Sequence, residues 1–291
     1  MSKSESDNMF SMERQHIIEE LIKQQTSVQV NGLAAQFNVS ESTIRRDLQE
    51  MEINGLLVRT HGGAMEVSRL NYEMSFKEKE IENMGDKQRI GEIAAAMIQD
   101  GDTIILDSGT TTLEIAKRIT AKSITVITNS IDIALEISNK ENIELIVAGG
   151  SLRNTTRAMV GPLAENVFKN FRVDKAFVGA NGISIKDGFT TPNFLEAQIK
   201  KTILGVAKKG IIVADSSKFN KVCFSVIGEL KAATTIITSE SLEKEILNKF
   251  KEVGVDIITH QSEEGELGKR SIKYNFIHTN GNTRTNTKIV D

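Results

Sequence analysis

At 291 residues the chain has room for one small and one larger domain, and its apolar and charged fractions are those of an ordinary soluble globular protein. A single cysteine, Cys223, excludes an intrachain disulfide and fits a reducing, cytoplasmic compartment. The four scattered histidines (His16, His61, His260, His278) lack metal-ligand spacing, no cofactor motif is present, and no apolar run approaches the ~20 residues of a membrane span.

Residues 1–11 are polar and acidic, carry no apolar signal-peptide run, and are expected to be flexible. From Met12 the residues Ile17, Ile18, Leu21 and Ile22 recur at helical spacing. Val28 to Val30 reads as a short strand. Asn31 is placed to cap a second helix that buries Leu33, Ala34 and Phe37. Asn38-Val39 reads as a turn, and Ser40 caps a third helix.

In that helix Ile44, Leu48 and Met51 form the buried stripe. Ser42, Arg46 and Gln49 lie opposite, flanked by Thr43 and Arg45. Arginine suits guanine edges or phosphates, and Gln, Ser and Thr suit base edges or backbone, so the set matches a major groove. Asn54-Gly55 ends the helix. Two short alternating strands then flank His61-Gly62-Gly63, where the glycines are expected to supply positive φ in a hairpin turn. Charge argues the other way. Residues 1–70 hold seven Lys and Arg against ten Asp and Glu, whereas a DNA-binding domain is usually basic. Positive charge would have to be local, at Arg45, Arg46, Arg59 and Arg69.

Helix, helix, turn, helix and a Gly-Gly hairpin in one run is a stronger signal than a helix-turn-helix alone. The strings Thr43-Ile44-Arg45-Arg46-Asp47-Leu48 and Arg59-Thr60-His61-Gly62-Gly63-Ala64 closely resemble the winged helix of the DeoR family of bacterial transcription regulators. The resemblance implies a winged helix-turn-helix DNA-binding domain over residues 12–67. Its expected DNA contacts are Ser40, Ser42, Thr43, Arg45, Arg46, Gln49, Arg59 and His61.

Residues 68–86 are charged and weakly periodic and read as a linker, with Tyr72 and Phe76 four apart and able to pack behind it. Over 87–260 short β-branched runs alternate with helical segments: 103–107, 124–128, 143–147, 176–179, 210–214, 235–237 and 255–258. That pattern predicts a mostly parallel α/β sheet covered on both faces, with ligands bound at the carboxyl ends of its strands.

Several strand ends carry suitable chemistry. Asp107-Ser108-Gly109-Thr110-Thr111-Thr112 lies between a strand and a helix start, where backbone N–H groups and hydroxyls can cradle a phosphate. The same residues equally make an ordinary Ser/Thr helix cap. The string lacks the Gly-Lys-Ser/Thr ending of a nucleotide loop. Gly149 with Arg153, Gly179 with Gly182, and Lys218 stand at further strand ends. Glu196 and Lys200, four apart, read either as a surface ion pair or as groups facing a cleft. Together these residues favour a site for a small anionic polyol.

The resemblance to the DeoR family extends through these strings to about residue 260. It implies a Rossmann-like sensor domain similar to ribose-5-phosphate isomerase, which binds a phosphorylated sugar effector. It further implies a repressor of a carbohydrate operon that grips a double-stranded operator as a homo-oligomer, dimer or tetramer. Expected effector contacts are Asp107, Ser108, Gly109, Thr110, Thr111, Gly149, Arg153, Gly179, Gly182, Glu196, Lys200 and Lys218. A sugar-phosphate isomerase carrying a winged helix is the competing reading, with Asp107, Glu196 and Lys200 as acid/base groups. Residues 261–291 are rich in Asn, Thr, Lys and Glu and are expected to be a disordered tail, although Ile272, Tyr274, Phe276 and Ile277 could add an edge strand.

Overall fold

In the computed structural model the chain divides into two units, Met1–Tyr72 and Glu73–Asp291. The structure describes residues 3–25, 27–54, 56–60, 62–66, 73–239, 242, 244–253, 255–260, 271–277 and 283–289.

The first unit runs α1 (Lys3–Gln25), β1 (Ser27–Gln29), α2 (Val30–Phe37), α3 (Glu41–Ile53), β2 (Leu57–Thr60) and β3 (Gly63–Glu66). Helix α1 starts at Lys3, well before the Met12 that the apolar spacing marks. Its apolar face continues into a core of Ile18, Ile22, Val28, Leu33, Ile44, Leu48, Met51 and Leu57. The strands form an antiparallel sheet in the order β1-β3-β2. Asn38 closes α2 at φ 52, and its N–H bonds the carbonyls of Ala34 and Ala35. Asn31 does not cap α2. Strand β1 feeds the helix directly at Val30, so Asn31 already lies in the first turn, where its side chain accepts from the Gly32 N–H at 2.8 Å.

Two features fix this unit. Asp47, on the buried face of α3, accepts from Ser11 Oγ at 2.6 Å and from Arg14 Nε at 2.8 Å. A charge-assisted bond of this kind binds α1 to α3. Gly63 is needed for a reason other than the expected one. Neither Gly62 nor Gly63 has positive φ; instead a Cβ at Gly63 would lie 1.9 Å from the Val28 carbonyl oxygen. The glycine lets β3 approach β1.

The second unit opens with α4 (Phe76–Ile81) and α5 (Met84–Ala96). It continues with β4 (Thr103–Leu106), α6 (Thr110–Arg118), β5 (Ile124–Thr128), α7 (Ile131–Ser138) and β6 (Ile143–Val147). A hairpin follows, β7 (Ser151–Arg153) with β8 (Ala158–Val160), then α8 (Pro162–Lys169) and β9 (Val173–Gly179). Next come β10 (Gly182–Ser184), β11 (Gly188–Thr191), α9 (Phe194–Val206), β12 (Ala207–Val213) and β13 (Ser225–Gly228). The chain ends through β14 (Thr235–Thr238), α10 (Lys244–Glu252), β15 (Asp256–His260), β16 (Ser271–Ile277) and β17 (Thr283–Ile289).

Nine strands form one sheet in the order β17-β16-β15-β14-β12-β9-β4-β5-β6, parallel from β15 to β6. Successive residues of each strand face opposite layers. Ile104 and Leu106 join Val126, Ile211 and Val213 under α5 and α6; Ile105 joins Ile127, Ala176 and Ile212 under α8 and α9. Both faces are therefore covered, as the unbroken β-branched runs require. From β4 the chain winds outward to β5 and β6. It returns to place β9 on the other side of β4 and winds outward again through β12 and β14. The winding reverses between β4 and β9, and at such a switch point the loops leaving the two strands diverge and leave a crevice.

Two stretches differ from the sequence reading. Residues 73–86, inside the expected linker, belong to the second unit. Ser75 caps α4 in a reciprocal box with Glu78, and Phe76 is buried, its N–H bonded to the Thr155 carbonyl at 2.7 Å. Tyr72 lies outside the described residues. The expected disordered tail instead carries β16 and β17, an antiparallel hairpin on the edge of β15. Strand β15 would otherwise present an unpaired row of N–H and C=O groups.

Gly63→Ala should destabilise the first unit by about 1–3 kcal/mol, because strand backbone rather than a flexible side chain meets the new methyl. Hydrogen exchange in urea should locate the loss in residues 12–66 and leave residues 87–260 unchanged. Wild-type exchange in both would show that β1 and β3 separate without penalty.

Candidate functional site

Helix α3 presents the first candidate surface. Ser40 Oγ accepts from the Thr43 N–H at 3.2 Å and lies 2.7 Å from Ser42 Oγ and 2.8 Å from Thr43 Oγ1. Ile44, Leu48 and Met51 are buried, so Ser42, Arg45, Arg46 and Gln49 are left exposed and Thr43 half-buried. Arg46 is the more open of the two arginines, with 82% of its side chain accessible.

The arginines meet acids nearby. Arg45 lies 3.2 Å from Glu41, Arg46 lies 3.6 Å from Glu50, and on β2 Arg59 lies 3.9 Å from Glu52. Exposed pairs of this kind contribute at most about 1 kcal/mol, so a phosphate can take each guanidinium at little expense. His61 and Arg69 lie outside the described residues.

The second surface sits at the β4–β9 switch point. Asp107 follows β4 and is fully buried. One carboxylate oxygen, Oδ2, accepts from the Gly179 N–H of β9 at 3.1 Å and bonds the Lys200 ammonium of α9. Burial pushes the Asp107 carboxyl above the usual carboxylate range, against the opposing pull of Lys200. Glu196, one turn before Lys200, is also buried and bonds Thr156 and Arg153. Burial alone would raise its pKa, but the Lys200 ammonium, the Thr156 hydroxyl and the cations Arg153 and Lys79 together hold it below the ordinary value. Glu196 and Lys200 are therefore not a surface pair. Each is buried and takes its close partner from another element.

Helix α6 starts beside Asp107, and its first N–H groups have no helical carbonyl to bond. Ser108, Thr110 and Thr111 are buried around this start, and Asn129, after β5, fixes the loop by accepting from the Ser108 N–H at 3.2 Å. Gly109 is the N-cap residue. Lys218 lies 3.2 Å from Glu82 and 3.8 Å from Asp215, and Asn83 bonds Asp215 at 3.1 Å.

Asp107, Gly179 and Lys200 thus form one bonded group and Glu196 with Arg153 another, the two linked by the attraction of Lys200 for Glu196, with Ser108 to Thr111 adjoining Asp107. Gly149 is exposed after β6, with β5 between its strand and β4. Gly182 has a packing role: a Cβ there would lie 2.5 Å from Thr190 Oγ1 and 2.6 Å from the Lys221 carbonyl oxygen. The sequence reading missed Thr156 and the acids and bases of residues 73–87. Glu73 bonds Arg153 at 2.9 Å and lies 3.5 Å from Lys79. Burial makes the Lys79 ammonium easier to deprotonate than usual, against the pull of Glu73 and Glu196. The buried Lys87 ammonium donates to the carbonyls of Lys79 and Glu82. The Ser75-x-x-Glu78 capping box is the signal that could have revealed a packed helix there. Among the described residues no group of acids, His and Cys is arranged to hold a metal, and no helix is long and apolar enough to cross a membrane.

Comparison with known proteins agrees with this division. The DeoR-like helix-turn-helix domain matches residues 14–69, and the DeoR C-terminal sensor domain matches residues 82–240. The HTH-type transcriptional regulator YulB of Bacillus subtilis is 38% identical, over 81% of this chain and 91% of its own length. The HTH-type transcriptional regulator GlpR of Haloferax volcanii is 34% identical, over 86% and 98%. The transcriptional repressor AccR of Agrobacterium fabrum is 33% identical, over 82% and 96%.

Lys200→Met should cost about 3–5 kcal/mol in urea unfolding, since it strands the Asp107 carboxylate in the interior. The Asp107→Leu/Lys200→Met double variant should recover most of that loss; equal loss in both would refute the pairing. A separate pH signature comes from Glu196. Its folded-state pKa is depressed, so its stabilisation is complete above the ordinary carboxylate pKa and disappears as pH falls through the folded value. Glu196→Gln should therefore flatten the acid side of the stability–pH curve, and an unaltered acid limb would contradict the assignment.

Proposed function

This chain belongs to the DeoR family of helix-turn-helix transcriptional regulators, and on that premise we propose that it represses a carbohydrate-utilisation operon under control of a phosphorylated sugar. A regulator rather than an enzyme is the reading its relatives carry: YulB, GlpR and AccR match along nearly their whole lengths and are transcription regulators. The isomerase alternative, drawn from Asp107, Glu196 and Lys200, has no such support from these relatives.

In this reading α3 enters the major groove. Arg46 and Gln49 read base edges, while Ser40, Ser42, Thr43 and Arg45 meet bases or phosphates. Arg59 on β2, with His61 of the same Arg-x-His string, touches backbone or minor groove. A homo-oligomer, dimer or tetramer, sets two such helices on repeated half-sites of double-stranded DNA. The effector's phosphate sits at the start of α6 on Ser108, Gly109, Thr110 and Thr111, with Arg153, Lys200 and Lys218 balancing its charge and Glu196 facing a sugar hydroxyl. The observation that carries the sensor half is the placement of Asp107 and Gly179 at the carboxyl ends of the two strands where the winding reverses.

Electrophoretic shift of the chain's own upstream DNA, with and without a panel of sugar phosphates, tests both halves. Arg46→Ala should weaken binding by about 1–3 kcal/mol and leave the fold intact. Binding should also fall steeply with salt, as expected when several phosphates release counterions. Ser108→Ala should shift DNA normally yet need more effector to respond. Unaltered binding by Arg46→Ala would overturn the orientation of α3, and an unaltered response by Ser108→Ala would move the effector elsewhere.

A further inference from the structure

Residues 73–82 lead out of the DNA-reading unit and into the sensor, and they carry both signs of charge to the strand-end cluster. The Glu73 side chain is only 7% exposed. Its Oε2 accepts from Arg153 Nη2 at 2.9 Å, and its Oε1 lies 3.5 Å from Lys79 Nζ. One carboxylate thus spans a guanidinium and an ammonium, as the oxygens of a bound anion would. The guanidinium it holds also bonds Glu196, which is part of the candidate site. The same segment touches the start of α6, where Thr110 Oγ1 donates to the Lys79 carbonyl at 3.5 Å. It is further held by Phe76, under the Arg157 guanidinium 5.4 Å from its ring centre and bonded through its N–H to the Thr155 carbonyl, by the Lys87 ammonium on two carbonyls, and by Lys218 on Glu82 at 3.2 Å.

We propose that Glu73 is a built-in counter-ion: without effector it occupies Arg153 and Lys79, and an anionic metabolite at the strand ends displaces it and releases residues 73–82. The proposal rests on the reading of the strand ends as an anion site. A phosphate brings up to two negative charges and three acceptor oxygens, so it outcompetes a single carboxylate for the same two cations. Arg153 already carries Glu196, so a third anion on the same cations meets repulsion from both carboxylates, and Glu73 is the one free to leave with its segment. The ligand therefore favours the arrangement with Glu73 expelled, and that difference in affinity is what a regulator needs. By reciprocity, removing the Glu73 charge strengthens ligand binding. Since the freed residues adjoin the DNA-reading unit in sequence, the message reaches that unit through the chain itself.

Hydrogen exchange on the full-length protein, with inorganic phosphate as the probe, tests this. Ligand-free Glu73→Gln should exchange over 73–82 about tenfold faster than wild type, an opening made easier by about 1.4 kcal/mol. Phosphate should accelerate 73–82 in wild type but not further in the variant, and should half-saturate the variant at about tenfold lower concentration. Should Glu73→Gln fail to fold, Glu73→Asp, charged but one methylene short, should give intermediate rates. Wild-type exchange over 73–82 in a folded variant overturns the counter-ion and leaves the anion site standing. Phosphate that protects 107–112 without changing 73–82 does the same. Phosphate that alters neither segment overturns the anion site, and the counter-ion falls with it.

Discussion

A carboxylate at the end of β4 must find partners inside the protein, and much of the sensor unit is arranged to provide them. Asp107 is buried where the winding of the sheet reverses, so the neighbouring backbone comes from β9 and the neighbouring cation from α9. Neither partner is near in sequence. The ion pair therefore exists only when β4, β9 and α9 have assembled in register. An unpaired charge at that depth is prohibitive, which makes the pair a check on assembly more than a source of net stability.

From that pair a chain of alternating charge extends outward. Lys200 stands beside Glu196, Glu196 is bonded to Arg153, and Arg153 to Glu73, which neighbours Lys79. Each member is stabilised by the next, so a new anion added at one point redistributes partners along the row. Burial raises the stakes of each exchange, because a displaced group must reach either another partner or water. A site of this kind responds to charge and placement together.

Much of the architecture was legible in the sequence. The β-branched runs found the parallel strands because a strand covered on both faces has no polar alternation to hide it. The buried stripe of α3 and the Ser40 cap were equally plain, since 3.6-residue periodicity and local capping are properties of neighbours in sequence. What escaped depends on distant partners. Nothing local to Glu73 or Lys79 distinguishes them from solvated residues of a charged linker, and only their proximity to Arg153 and Glu196 gives them meaning. Glu196 and Lys200 at i and i+4 left a surface pair and a cleft-facing role both open, and only their bonds to groups from across the fold set the first aside. Gly63 was correctly marked as special but for the wrong reason, because the neighbouring Val28 carbonyl cannot be seen along the chain. The 261–291 tail, polar in composition, gains its strands by meeting the open edge of β15.

The Asp47 bond to Ser11 and Arg14 separates what holds α3 in place from what α3 displays. Anchoring falls to the inward face, where one acid and three apolar side chains meet α1 and the core. The outward positions, Ser42, Arg45, Arg46 and Gln49, are exposed. Selection can therefore rewrite the outward residues without loosening the helix. A gene duplicated from this one could acquire a new recognition sequence by a few surface changes while inheriting the scaffold and its sensor intact.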